Sequence, residues 1–246
     1  MQTLSGPTYL LRGFRLMWQP GVRMFVVMPL IINVIAVVGL FLWLWPPIQA
    51  TVDGWLALLP GWLMWLGFLV WPLVWALAIL AFCLILTVTA NLVAAPFNGF
   101  LAARVEERLT GTLPDSGLSL WQESLQGLVM ELRKLLFLLM WGIPLLLLSL
   151  VLFFIPGLNG LIPVLWGLFG AYMLALEYVD YPASNHGLSF AAKRRVLAQD
   201  RWLTLGFGGM VTLATAVPLL NLLVMPAAVA GATAMWVEHL QKENAV

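Results

Sequence analysis

Residues 24–45 read MFVVMPLIINVIAVVGLFLWLW, 22 positions without a charge. As a helix this run would reach about 33 Å, enough to cross a hydrocarbon core of about 30 Å. Pro20, Gly21 and Arg23 stand before it, and Pro46 and Pro47 after it, so a turn leads in and a helix stop is predicted at its end. Working outward, the next uncharged stretch runs from Gly54 to Ala103 and is broken early by LLPGW at residues 58–62. It predicts a short interfacial piece, then a second long helix from about Trp62 to beyond Arg104.

The composition agrees. Hydrophobic residues make up 62% of the 246 positions and charged residues only 9%. A soluble domain carries about a quarter charged residues to face water, so this chain requires lipid as its solvent. Thirteen Trp and thirteen Phe suit aromatic rings at membrane interfaces. A net charge of +1 excludes a polybasic arm and nucleic acid as a partner. The single cysteine, Cys83, excludes an internal disulfide and is expected to be a buried small apolar residue. The opening MQTLSGPTYLLRGFRLMW has spread charges and no A-x-A site, so it is read as uncleaved rather than as a secretory signal.

Basic residues set the expected orientation. Arg12, Arg15 and Arg23 precede the first long helix, and Arg104, Arg108, Arg133 and Lys134 follow the second. The segment between the helices carries Asp53 and nothing basic, which places the outer ends of both helices in the cytoplasm by the positive-inside rule.

The second half holds a weak internal repeat. SGLSLWQESLQGLVMELRK (116–134) resembles HGLSFAAKRRVLAQDRW (186–202), and each leads into an apolar run broken by IPGLNGLIP (155–163) or VPLLNLLVMP (217–226). Glu177 and Glu238 close the two copies. The unit is read as an amphipathic helix followed by an apolar hairpin. In the second copy the apolar arms, 202–217 and 227–237, are too short for a span of about 20 residues, so a half-penetrating, re-entrant hairpin is expected. In the first copy the arms at 135–155 and 158–176 leave full spans possible. The predicted fold is an all-α integral membrane protein with two long transmembrane helices, re-entrant hairpins and amphipathic helices. Its single domain divides into 1–111, 112–178 and 179–246.

No G-x-S-x-G, H-E-x-x-H, P-loop or Rossmann fingerprint occurs, and neither His186 nor His239 has a ligand at metal spacing. The chain is therefore read as neither an enzyme nor a cofactor or metal protein. The remaining chemistry is charge at helix ends. At Gly21, Val22 and Arg23 a turn meets a helix N-terminus, whose unpaired N–H groups and partial positive charge suit an anion. Arg23 would supply a guanidinium fork, with Arg12 or Arg15 folding back to help. As an alternative, Arg23 anchors the helix by snorkelling to the interface. In LAARVEERLTG (101–111), Arg104, Glu106, Glu107 and Arg108 form solvated pairs or gate an anion path. Glu131 with Lys134 has the same double reading. In VDYPASNH (179–186), Asp180 is expected to cap and Pro182 to stop the preceding helix.

QPGVRMFVVMPLIIN (19–33), AAPFNGFLAARVEERLTG (94–111), DYPASNH (180–186) and VPLLNLLVMPAAVAGATAMWVEH (217–239) together resemble the CysZ family of bacterial sulfate transporters. The resemblance covers almost the whole chain. It implies sulfate uptake across the bacterial cytoplasmic (inner) membrane for cysteine biosynthesis, by a channel-like or proton-dependent route, in a homo-oligomer embedded in the lipid bilayer. It also implies sulfate binding at Gly21, Val22 and Arg23, with Glu106 and Arg108 as pore-lining groups; Arg104, Glu107 and Glu131 are added to these candidate pore or gate groups from their charge alone. One departure stands out: Met24 occupies the place of the family's second arginine. A non-transporting membrane scaffold, using its hairpins as wedges, is the alternative from a different class.

Overall fold

The computed structural model describes residues 5–117 and 120–241. The described segments are helical, connected by turns. Helix α1 spans Gly6–Leu16, α2 Met24–Ala57, α3 Gly67–Thr110, α4 Leu120–Phe153, α5 Leu161–Asn185, α6 Phe190–Gln199, α7 Arg201–Thr215 and α8 Pro218–Met235. A 3₁₀ segment at Gly61–Leu66 precedes α3, and a π turn at Trp236–Leu240 follows α8. Among the described residues, five segments are long and apolar enough to cross a membrane: Met24–Ala57, Gly61–Ile85, Gly127–Phe153, Leu161–Asn185 and Leu223–Leu240. The chain forms two compact units, one of residues 24–97 and the other of 1–23 with 98–246.

The 24–97 unit is built from α2 and the first part of α3. Phe41 meets Phe82 at 5.1 Å between ring centroids, and Trp45 meets Trp75 at 4.0 Å and Trp71 at 6.2 Å. Rising numbers on α2 thus pair with falling numbers on α3, so the two helices run antiparallel. The stop predicted at Pro46 and Pro47 does not occur; α2 continues through both to Ala57. A proline removes one N–H and crowds the preceding turn, but the aromatic cluster around Trp45 holds the helix from the side. One turn later the Thr51 hydroxyl donates to the Pro47 carbonyl at 2.7 Å. Cys83 is exposed on α3 rather than buried, on a helix whose neighbouring Ile79, Leu80 and Leu84 are exposed as well. The sequence reading treated an apolar run as a protein core, whereas an apolar side chain on this helix has lipid as its natural surrounding.

The other unit is packed on small residues. From Ala227 to Met235, α8 offers Ala, Val, Gly and Thr that are almost entirely buried. A Cβ built on Gly13 of α1 would lie 1.9 Å from the Ala227 carbonyl oxygen, and one on Gly231 would lie 2.5 Å from the Tyr9 carbonyl oxygen. The helix backbones therefore touch, as small residues permit in membrane interfaces. Gly208 of α7 meets the Ala171 backbone of α5 in the same way. Leu10, Met17, Leu176, Phe207 and Val211 fill the remaining core. Of the Leu223–Leu240 segment 67% is covered by protein, against none of Gly61–Ile85, so these two segments differ in what they would face.

Helix α5 does not stop at Pro182 but runs to Asn185. Gly187, with φ +67°, ends it instead: Gly187 N–H donates to the Ser184 carbonyl and Leu188 N–H to the Ala183 carbonyl, a Schellman closure. Asp180 is not a cap; it lies inside α5 and is ion-paired. The two repeat copies also diverge. In the first, residues 120–153 form one continuous helix, while the second breaks at Asp200, whose carboxylate accepts from Leu203 N–H to start α7. Ser189 caps α6 by accepting from Ala192 N–H. Its counterpart Ser119 and Leu118 lie outside the described residues. Gly117 and Gly187 share φ +67°.

Candidate functional site

Gly21 sits in the left-handed region at φ +87°, with open space around its Cα. The Gln19 carbonyl accepts from Val22 N–H at 3.0 Å and from Arg23 N–H at 3.1 Å, which ties the turn down just before α2 begins. Val22 turns inward and is buried, while Arg23 is exposed. Two of the three backbone donors at Gly21–Arg23 are therefore committed to protein, and Gly21 and Arg23 are the exposed members of this trio. Neither Arg12 nor Arg15 folds back toward it to form one cluster; both line a different hollow with Arg108.

The charged end of α3 is split between two faces. On the exposed face Arg104 Nη1 pairs with Glu107 Oε2 at 2.7 Å, a solvated i, i+3 pair of the kind worth a few tenths of a kcal/mol. Arg108 lies on that side too and donates from Nε to the Gln19 side-chain oxygen. Gln19 thus holds the Gly21 turn with its backbone and Arg108 with its side chain. On the opposite face Glu106 is 3% exposed. Its Oε1 lies 2.7 Å from His186 Nε2, while its Oε2 is buried with no partner among the described residues. The His186 ring also lies 5.7 Å from that of Trp236, whose buried indole N–H is likewise unpartnered there. Burial raises the Glu106 carboxyl above the usual carboxylate range, and the hydrogen bond from His186 only partly offsets this.

Glu131 stands apart from both places. It is exposed and pairs with Lys134 at 2.6 Å, at the edge of a buried ion cluster. Lys134 Nζ also reaches Glu177 at 2.8 Å and Asp180 at 3.1 Å, and Asp180 is shared with the fully buried Lys193. The Ser184 hydroxyl accepts from Lys193 as well. Burial holds the Lys193 ammonium below its usual range, against the pull of Asp180. A third interaction locks the chain ends: Arg12 Nη1 binds Glu238 Oε2 at 2.5 Å, with Tyr9 beside it, its phenol pushed up to about 12 by burial and by Glu238.

The sequence-predicted residues therefore lie at the Gly21 turn, on two faces of the α3 end and beside Lys134. His186 and Gln19 were missed as partners because they lie 80 and 89 positions from the α3 residues they bind. Lys193 left a readable signal: it shares an i, i+3, i+4 stripe with Val196 and Leu197, all three buried.

A family profile described as Sulfate transporter CysZ/Etoposide-induced protein 2.4 matches residues 9–226. A Pectobacterium atrosepticum protein named sulfate transporter CysZ is 42% identical over 246 residues, covering 99% of this chain and 88% of its own. Similar proteins of that name from Salmonella paratyphi A and Salmonella typhimurium are 41% and 40% identical over 245 residues, covering 98% of this chain and 95% of theirs. With a match across nearly its full length, the chain belongs to the Sulfate transporter CysZ/Etoposide-induced protein 2.4 family, whose description names a transporter and no reaction.

Proposed function

We propose that this protein carries sulfate across the bacterial cytoplasmic membrane, supplying sulfur for cysteine biosynthesis. The observation that carries the reading is Arg23, exposed on the Gly21 turn at the head of a long apolar helix, in a chain over 40% identical to proteins named sulfate transporter. Sulfate is first held at Gly21, Val22 and Arg23 in a shallow, wet site. Burying a bare ion in a low dielectric costs on the order of 20 kcal/mol, and charge-assisted hydrogen bonds return only about 1.5–3 kcal/mol each. One guanidinium cannot strip a dianion of its water. Arg104, Glu107 and Arg108 then guide the anion along the α3 end.

Of the two transport modes, the proton-dependent one is supported by Glu106 and His186, whose Oε1 and Nε2 lie 2.7 Å apart, within hydrogen-bond reach. The short α7, 15 residues or about 22 Å long, supports a half-penetrating hairpin with α8, buried in a homo-oligomer.

Radiolabelled sulfate flux into proteoliposomes tests the proposal. Arg23→Ala is expected to lower flux at least tenfold, and an imposed inward proton gradient to raise it in wild type and not in Glu106→Gln. Background flux from folded wild-type protein would leave the membrane scaffold as the reading. Undiminished flux in Arg23→Ala would make that arginine an interfacial anchor.

A further inference from the structure

Between α1 and the end of α3 lies an open hollow of about 910 Å³, lined by Arg12, Arg15, Gln19 and Arg108 among apolar Leu11 and Leu16. Three arginines line this one concavity, and their charge is only partly cancelled. Arg12 is bound to Glu238, whereas neither Arg15 nor Arg108 has a carboxylate within ion-pair distance among the described residues. Two uncompensated positive charges remain, which matches a doubly charged anion. Arg108 spends its Nε on Gln19, leaving its terminal nitrogens for a ligand and its plane fixed by that bond. Arg23 does not line the hollow. Gln19 nevertheless connects the two places, since its carbonyl ties down the Arg23 turn and its side chain fixes Arg108.

We propose that this hollow is a second oxyanion site, taking a sulfate or phosphate dianion between Arg15 and Arg108, with Arg12 as a third guanidinium held in reserve by Glu238. The choice of sulfate as its ligand rests on the transport reading; the binding of an oxyanion does not. The hollow is larger than a tetrahedral oxyanion requires, so the ion keeps part of its hydration shell and can leave again. Glu238 competes with the anion for Arg12, which sets the affinity from the far end of the chain. The same chemistry would accept the phosphate of an anionic phospholipid, so the test separates the two sources.

Equilibrium binding of radiolabelled sulfate to purified protein in neutral, lipid-free detergent provides the first arm, with phosphatidylglycerol in mixed micelles as the second. Arg15→Gln/Arg108→Gln is expected to weaken binding in the hollow at least tenfold while leaving the Arg23 turn's share intact, and Arg23→Gln is expected to do the reverse. Glu238→Gln, which frees Arg12, is expected to tighten binding severalfold, a gain that damage to folding would not produce. If the double variant loses phosphatidylglycerol but not sulfate, the site stands and its ligand is lipid-borne. Unchanged binding of both probes in the double variant, or no tightening in Glu238→Gln, overturns the proposal. Sulfate flux through the same variants keeps the two readings apart: absent wild-type flux would sink transport while leaving the binding result in place.

Discussion

Glycine at two positions shows how differently one residue type is constrained. At Gly13 the obstacle is the neighbouring α8 backbone, so Gly13→Val forces two helices apart and is expected to cost about 3 kcal/mol, read as a lowered thermal unfolding midpoint in detergent. At Gly21 nothing lies within 4 Å, and only the backbone conformation at φ +87° resists a side chain. Gly21→Ala is therefore expected to cost a smaller amount, about 1–2 kcal/mol. Glu106 supplies a pH signature. Its folded carboxyl is raised above its ordinary value near 4.5, so between that value and the raised one the unfolded chain has lost a proton that the folded chain keeps. Stability is then expected to fall as pH rises through this window, and Glu106→Gln to flatten the profile, checked by unfolding midpoints across pH. The sequence showed that Glu106 was charged and at a helix end. It could not show which face of α3 would be covered, because the covering residue, His186, comes from another helix.

At the scale of elements, the long apolar helices were legible because composition alone forces them out of water. Their ends were less so. Pro46, Pro47 and Pro182 were read as stops, yet each lies inside a helix. A proline's local cost is set by one lost hydrogen bond, while tertiary contacts and a Thr hydroxyl act over several turns. Gly187 was the true terminator, since a left-handed C-cap satisfies orphan carbonyls that a proline does not. The pairing of α4 with α5 was expected as an apolar hairpin, but its charged contact was not, because Lys134 lies 43 positions from Glu177. Lys134→Met would leave Glu177 and Asp180 short of a partner and is expected to cost about 3 kcal/mol. The double change Lys134→Met/Asp180→Asn, which removes charges of opposite sign together, is expected to recover part of that loss in the same unfolding assay.

Across the whole molecule the chain forms two compact units that interleave in sequence. One compact unit takes the first 23 residues together with everything from Asn98 onward, and residues 24–97 form the other. The repeat in the second half was visible in sequence, but the place of α1 was not, because the glycines and alanines that receive it look like ordinary low-complexity membrane sequence. Helix α1 packs on α8 through Gly13 and Gly231, and Arg12 reaches Glu238 across 226 positions. A chain shortened to end after Thr215 is therefore expected to expose α1 to added protease, with α4 and α5 protected as in the full-length protein. This arrangement imposes an order on biosynthesis. About 220 residues separate the end of α1 from the end of α8, which at 5–20 residues per second is roughly 10–45 s of translation. Helix α1 must spend that interval parked at the membrane surface or shielded by the insertion machinery, and it docks only when α8 arrives.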